Sequence, residues 1–220
     1  MVRVYLAKIL LPEGAARKEA HELQSAAAHR LLILALEKEY PEYGGTFQIE
    51  KDERGKPFLR GHEKIHISLS HSGELAACAA AEEPVGVDVE QRKQRSGSQR
   101  ILRRLHERER EWLLGLPEDR REQAFYDLWV RKESFLKATG EGLGLPLSSF
   151  STVEEGAAEG AWAEGTAEYG AVVPIAQNVR KETYYIRQYE SGDPEYSLAA
   201  CSRECEFAPA PVWLSAGNEF

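Results

Sequence analysis

The sequence predicts an α+β protein in which one chain forms two similar subdomains, at residues 1–97 and 98–220. In both halves, helix-like segments are followed by strand-like segments. The segment Leu75-Ala76-Ala77-Cys78 recurs as Leu198-Ala199-Ala200-Cys201, each time after a short strand-like segment and a polar turn. A polar stretch containing Ser96-Gly97-Ser98 lies between the halves and is typical of a linker. Internal similarity of this kind indicates a repeated structural unit.

The first half begins with a strand and a long helix. Apolar residues alternate over residues 2–11, and Pro12 ends this strand. Residues 15–39 carry apolar side chains near helical spacing, until Pro41 interrupts the pattern. The remainder of this half is predicted to form a hairpin and three strands, at residues 47–59, 65–69, 75–82 and 85–90.

The second half begins with helices and ends with strands. Two helices are predicted, at residues 100–114 and 118–139, because Gly115 and Pro117 separate two helical patterns. Residues 154–171 are rich in Gly, Ala and Glu and are predicted to form a variable hairpin or loop. The strands of this half are predicted at residues 151–154, 183–189 and 196–202.

Composition indicates a protein of the cytoplasm that binds neither nucleic acid nor membrane. The formal net charge of −8 disfavours general binding to nucleic acid. The longest apolar run, residues 31–36, is far shorter than the roughly 20 residues that span a bilayer. The first residues lack the pattern of a secretory signal, and an odd count of three cysteines favours reduced thiols.

One segment, residues 92–106, is basic although the chain as a whole is acidic. It contains no Asp or Glu, and it carries the basic residues Arg92, Lys93, Arg95, Arg100, Arg103 and Arg104. Such a run is typical of a solvated linker and helix start, and it is equally consistent with a docking surface for an acidic partner.

Asp88 and Glu90 are the first candidates for a chemical role. They stand two residues apart on a predicted strand, so their side chains project from the same face. Adjacent carboxylates repel each other unless a cation lies between them, and oxygen ligands suit magnesium. Alternating polar residues are also typical of the solvated face of a strand, so this pair alone does not define a site.

Trp129, Glu133 and Lys137 are spaced four residues apart on a predicted helix, which places them on one face. Glu133 and Lys137 could equally form a simple helix-stabilising ion pair. Ser70 and His71 end a predicted strand at a turn that could bind phosphate, and Lys56 could add a positive charge from a hairpin. Adjacent Ser70 and His71 point to opposite faces of an extended segment, which argues against a serine protease.

Taken together, these motifs resemble a known enzyme family. Residues 86–90, with the sequence GVDVE, and residues 129–137, with the sequence WVRKESFLK, resemble the paired signature of the 4′-phosphopantetheinyl transferases. The order of further motifs, Gly55-Lys56-Pro57, LSHSG at 69–73 and PLSSF at 146–150, resembles the larger, surfactin-synthetase-activating type. The resemblance extends over about residues 1–205.

The resemblance implies a fold of two similar α+β subdomains related by pseudo-twofold symmetry, and the transfer of phosphopantetheine from coenzyme A to a serine of an apo acyl or peptidyl carrier protein. It implies that Asp88, Glu90 and Glu133 hold Mg²⁺, which also binds the pyrophosphate of coenzyme A. The residues that match phosphate-contacting positions are Lys56, Ser70, His71 and Lys137. The family also has basic residues before and within its first long helix. The candidates for these contacts are Arg17, Lys18 and Arg30.

We therefore expect Glu133 and Lys137 to be catalytic, with Glu133 as general base and Lys137 neutralising charge on the bridging or leaving oxygen, in a chain that acts as a monomer. Two other functions are compatible with parts of the pattern. One is a different magnesium-dependent enzyme acting on phosphate esters, which would share the carboxylates. The other is a non-catalytic protein that binds carrier domains or nucleotides.

Overall fold

The computed structural model describes residues 1–93, 101–153 and 170–215. The predicted subdomain boundary at residue 97, the basic residues Arg95 and Arg100, and most of the variable segment 154–171 lie outside the described residues. Within the described residues, no helix combines the length and the apolar character needed to cross a bilayer.

The protein contains both helices and strands, as the sequence predicts. The longer helices are α1 (Arg17–Glu39), α2 (Glu107–Gly115) and α3 (Glu118–Thr139), and short 3₁₀ turns occur at Pro41–Tyr43, Gly142–Gly144 and Leu147–Ser149. The strands are β1 (Arg3–Lys8), β2 (Ile49–Lys51), β3 (Pro57–Leu59), β4 (His66–Ser72), β5 (Leu75–Ala81), β6 (Val85–Gln91), β7 (Phe150–Ser151), β8 (Val172–Pro174), β9 (Ala176–Gln177), β10 (Tyr185–Tyr189), β11 (Tyr196–Ser202) and β12 (Val212–Trp213).

Two four-stranded sheets form the centre of the molecule. The first has the order β12-β1-β5-β4 and the second the order β6-β11-β10-β8. Neighbouring strands are antiparallel except β12, which runs parallel to β1. The pairs β2–β3 and β7–β9 form two small additional sheets.

Strand β5 is the clearest example of how small side chains allow this packing. All seven of its residues are buried. Ala76 and Cys78 belong to the core beneath α1, whereas Ala77 and Ala79 belong to the core shared with β6 and β11. Because side chains alternate across a strand, one alanine-rich segment faces both cores. The strand predicted for 75–82 is present, although alanine by itself favours helix.

Helix α3 packs directly on the second sheet, and this contact positions the site described below. A Cβ atom added to Gly86 of β6 would lie 2.0 Å from the carbonyl oxygen of Ser134 and 2.5 Å from the backbone nitrogen of Ala138. Only glycine allows the helix backbone so close to the strand. This contact holds Glu133 and Lys137 of the helix against the strand that carries Asp88.

Two features differ from the simplest expectation. The helix predicted at 100–114 is interrupted, because His106 caps a new helix: its Nδ1 accepts a hydrogen bond from the Arg108 amide at 3.3 Å, and Glu109 Oε2 accepts one from the His106 amide at 3.1 Å.

The two halves also exchange strands. β6 precedes residue 97 but pairs with β11, and β12 pairs with β1. The pseudo-twofold symmetry and the boundary at residue 97 stay predictions.

Candidate active site

A cleft of about 630 Å³ lies between α1, the β2–β3 hairpin, β4, β6 and α3. Most of the candidate residues line it. They are Lys56, Ser70, His71, Asp88, Glu90, Trp129, Glu133 and Lys137. Their side chains come from four separate elements of the chain, so the fold brings together what the sequence presents at a distance. Concave clefts with a few converging polar groups are the usual form of ligand sites.

Asp88 is the centre of this arrangement. It is 5% exposed, and its Oδ1 accepts hydrogen bonds from Ser70 Oγ and Lys137 Nζ, each at 2.7 Å. Lys137 Nζ also donates to the backbone oxygens of Leu69 at 3.1 Å and Val87 at 3.0 Å. The other oxygen, Asp88 Oδ2, is buried and finds no hydrogen-bond partner among the residues that the structure describes. A buried carboxylate oxygen without a partner is costly, and it is suited to a ligand or cation.

Alternate serines of β4 connect the first sheet to β6. Ser68 Oγ accepts a hydrogen bond from the Val87 amide at 2.9 Å, and Ser70 donates to Asp88. Ser72 Oγ donates to Glu90 Oε2 at 2.9 Å and accepts from the amide that follows at 3.0 Å. This row of three serines fixes both carboxylates of the strand. Ser68 and Ser72 were not predicted as site residues. Their alternation with Ile67 and Leu69, which is typical of one polar face of a strand, was the sequence feature that indicated them.

Glu133 lies on α3 opposite these carboxylates. Burial first, and then the nearby charges of Asp88 and Glu90, raise the pKa of Glu133 to about 7 against an opposing effect of Lys137. Three carboxylates therefore interact electrostatically within one cleft. A carboxylate with a pKa near neutrality can exchange a proton at physiological pH, which is the property that a general base requires.

Lys56 and His71 are basic side chains at the other side of the cleft. Burial lowers the pKa of Lys56 to about 8 against an opposing effect of Asp52, and its Nζ donates to the Ala138 oxygen near the C-terminus of α3 at 2.7 Å. Burial, followed by the charges of His21 and Lys137, lowers the pKa of His71. The rings of His21 and His71 meet edge to face, with centroids 5.3 Å apart. Both groups are thus poised to gain an anionic partner.

The structure does not bring Arg30 into the cleft. Arg30 is exposed on α1, whereas its neighbour His29 lines the cleft, because successive helical residues point in directions about 100° apart. Sequence reasoning missed three basic residues of the lining, which are His29, Lys51 and Arg54. Lys51 and Arg54 belong to the same predicted hairpin as Lys56. The presence of Lys56 in that hairpin was the sequence feature that could have indicated them as further basic residues of the cleft.

The predicted metal site is compatible with these residues but is not preformed. Within residues 1–93, 101–153 and 170–215, no three His, Cys, Asp or Glu side chains are grouped closely enough to hold a metal ion. Two observations suit a divalent cation: the buried, unpartnered Asp88 Oδ2, and the repulsion by Asp88 and Glu90 that raises the pKa of Glu133. A cation would relieve both, so the donor set fits Mg²⁺.

Comparison with known proteins gives one consistent result. The sequence model of the 4′-phosphopantetheinyl transferase superfamily matches residues 84–191. A 4′-phosphopantetheinyl transferase of Bacillus subtilis is 33% identical over 187 residues, which cover 82% of this chain and 76% of that protein. The transferase Sfp of Bacillus subtilis strain 168 is 31% identical over the same shares. The transferase HetI of a Nostoc species is 34% identical over 104 residues, 45% of this chain and 44% of HetI.

Proposed function

The chain belongs to the 4′-phosphopantetheinyl transferase superfamily, and from this premise we propose that its cleft binds coenzyme A and transfers the phosphopantetheine group to a serine of an apo acyl or peptidyl carrier protein. The observation that carries this proposal is the junction of β6 and α3. There, Asp88 bonds Lys137 and Ser70, while Glu133 lies within electrostatic range of both carboxylates of β6.

The chemical step is a direct displacement at phosphorus. The serine oxygen of the carrier forms a bond to the β-phosphorus of coenzyme A, and the bond from that phosphorus to the bridging oxygen breaks. Adenosine 3′,5′-bisphosphate leaves with the bridging oxygen. Glu133 takes the serine proton as general base.

Lys137 supplies positive charge where negative charge develops. In the free protein its ammonium is held by Asp88 and by the backbone oxygens of Leu69 and Val87. Three acceptors orient the group before substrate binds, and because an ammonium has three N–H donors, one of these bonds is exchanged for a substrate oxygen. Phosphoryl transfer depends mainly on such positioning and charge stabilisation. We assign Lys137 to the bridging or leaving oxygen.

Further basic and polar residues would bind coenzyme A. Lys56, Ser70 and His71 line the cleft and would contact its phosphates, and Arg30, exposed on α1, stays a weaker candidate for the same role. Asp88, Glu90 and Glu133 would hold Mg²⁺, which when bound neutralises charge on the diphosphate oxygens. We propose that the chain acts as a monomer, since strands of one chain form both central sheets.

We assign carrier docking to the basic segment 92–106. Arg103 and Arg104 are exposed in the part of this segment that the structure describes, just before the cap of α2. The segment follows directly from β6, which carries Asp88 and Glu90. An acidic carrier bound there would present its serine close to the carboxylates, and opposite charges would accelerate its approach.

The decisive experiment uses mass spectrometry of the carrier protein. The protein is incubated with coenzyme A, Mg²⁺ and an apo carrier, and we expect the carrier to gain the mass of one phosphopantetheine group. Asp88→Ala should abolish the gain, whereas Asp119→Ala, on an exposed position of α3, should preserve it. Cleavage of coenzyme A without carrier modification would indicate a hydrolase. Carrier binding without any reaction would indicate a non-catalytic protein.

A further inference from the structure

A second cavity, of about 490 Å³, lies behind the coenzyme A cleft. It is formed by the turn and second strand of the β2–β3 hairpin, the start of β4, the end of α3 and residues near the ends of β10 and β11. Its volume is in the range of small-molecule sites. The second cavity plays no part in the mechanism above, but it shares one side chain with the cleft, Lys56, which lines both.

Four basic side chains surround the second cavity: Lys56, His66, Arg180 and Arg203. Burial lowers the pKa of His66, the charges of Lys56 and Arg203 lower it further, and Glu83 partly offsets them. Burial also lowers the pKa of Lys56 to about 8. The permanent cations of the lining are therefore Lys56, Arg180 and Arg203. An anion bound in the second cavity would be attracted to all three.

Three carboxylates also line the second cavity, and two of them are already engaged by their own turns. Asp52 Oδ1 accepts the backbone N–H groups of Arg54 at 2.9 Å and Lys56 at 2.8 Å, and Glu63 Oε1 accepts that of Gly61 at 3.2 Å. The third carboxylate is Glu182. These bonds hold Asp52 and Glu63 in their own turns, although the charge of Asp52 still acts on Lys56 and raises its pKa against the effect of burial.

The two arginines have their ion-pair partners outside the lining. Arg180 pairs with Glu141, and Arg203 pairs with Glu83 at 3.5 Å. Both arginines are 38% exposed, so these pairs are weak and exchangeable. Guanidinium groups match the geometry of phosphate oxygens, and the aromatic rings of Phe58 and Tyr184 provide an apolar wall beside them.

From this arrangement we infer that the second cavity binds a small phosphate monoester, with Arg180 and Arg203 holding the phosphate and Lys56 contributing from the wall. Because the ammonium of Lys56 also faces the cleft, occupation of the second cavity weakens the binding of nucleotide phosphates in the cleft. This second part rests on the proposed function, and reciprocity requires that nucleotide weakens the anion by the same factor.

The test measures binding of inorganic phosphate, the smallest probe, by isothermal titration calorimetry at constant ionic strength. We expect Arg180→Gln and Arg203→Gln each to weaken phosphate binding at least fivefold. The control is Arg60→Gln, because Arg60 is 67% exposed on the same hairpin region, pairs with Glu50 and does not line the second cavity. All three positions are at the surface, so the variants should fold. Equal phosphate affinity in all three variants would overturn the site.

A second titration separates the second cavity from the coenzyme A cleft. Adenosine 3′,5′-bisphosphate is titrated with and without phosphate. If phosphate acts from the second cavity, its inhibition of nucleotide binding will decrease in Arg203→Gln and persist in Arg60→Gln. Inhibition that is unchanged in Arg203→Gln would show direct competition in the cleft and overturn the coupling. Failure of carrier modification alone would contradict the proposed function and leave phosphate binding to the second cavity intact.

Discussion

The buried ion pair between Lys132 and Glu109 offers the sharpest test of the packing around the site. Neither side chain is exposed, and Lys132 Nζ lies 2.6 Å from Glu109 Oε2. Nζ also donates to the Phe150 oxygen at 2.9 Å and lies 3.9 Å from the centroid of the Phe150 ring. Glu109 Oε1 further accepts the backbone N–H of Thr152 at 2.9 Å. One pair thus connects α2, α3 and β7, directly beside the catalytic candidate Glu133.

Lys132→Met removes the positive charge and keeps most of the volume. It leaves the Glu109 carboxylate buried and uncompensated, a loss that typically costs about 3–5 kcal/mol. For a chain of this size that corresponds to a decrease in melting temperature of about 6–20 °C. Replacing both partners, as Lys132→Met with Glu109→Leu, should recover part of the loss, because no buried charge remains, although the Thr152 amide then loses its acceptor.

The measurement is urea-induced unfolding of the single and double variants, combined in a double-mutant cycle. The control is Lys18→Met, because Lys18 forms an exposed pair with Glu22, with the two side chains 90% and 67% exposed. That control should change the free energy of unfolding by less than about 0.5 kcal/mol. A loss below about 1 kcal/mol for Lys132→Met, or a double variant as unstable as the sum of the single ones, would refute the reasoning.

Three further predictions concern α3 and the basic segment. Gly86→Ala should destabilise the protein by about 3 kcal/mol in urea unfolding, because its Cβ would overlap the α3 backbone, whereas Gly115→Ala, with open space around it, should be tolerated. Lys137→Ala should lower kcat about 100-fold and change coenzyme A affinity less than tenfold; a loss confined to affinity would contradict its transition-state role. Charge reversal at Arg103 and Arg104 should raise KM for the carrier several-fold at low salt and leave KM for coenzyme A unchanged; equal effects on both would exclude docking there.

Most helices and strands could be predicted because their periodicity is local. The predicted helix at 118–139 coincides with α3, and the predicted strand at 196–202 coincides with β11. The interruption before α2 was not predicted, because it depends on two side-chain hydrogen bonds. His106 Nδ1 accepts from the Arg108 amide, and Glu109 accepts from the His106 amide. β12 was not predicted either. A strand of two residues carries too little pattern, and only its pairing with β1 defines it.

The sequence predicts the kinds of side chain in the candidate site better than it predicts which individual residues line the cleft. Asp88, Glu133 and Lys137 stand out because their spacing places them on single faces of a strand and a helix. Arg30 and His29 are adjacent in the sequence, and only the orientation of α1 against the first sheet determines which of them reaches the cleft. The alternation of Ser68 and Ser72 with apolar residues indicates a shared strand face, but their contacts are with β6, which pairs in the other sheet, and the local pattern does not identify that neighbour.

The exchange of strands between the halves also affects synthesis on the ribosome. β6 emerges early, but the strand that pairs with it, β11, is translated only near the C-terminus, and β1 waits even longer for β12. Nascent chains therefore carry unpaired strand edges for most of translation, and such edges promote association between chains. We expect that supplying chaperones that shield exposed strands will improve the yield of this protein. Slower elongation or a lower growth temperature should improve the yield less.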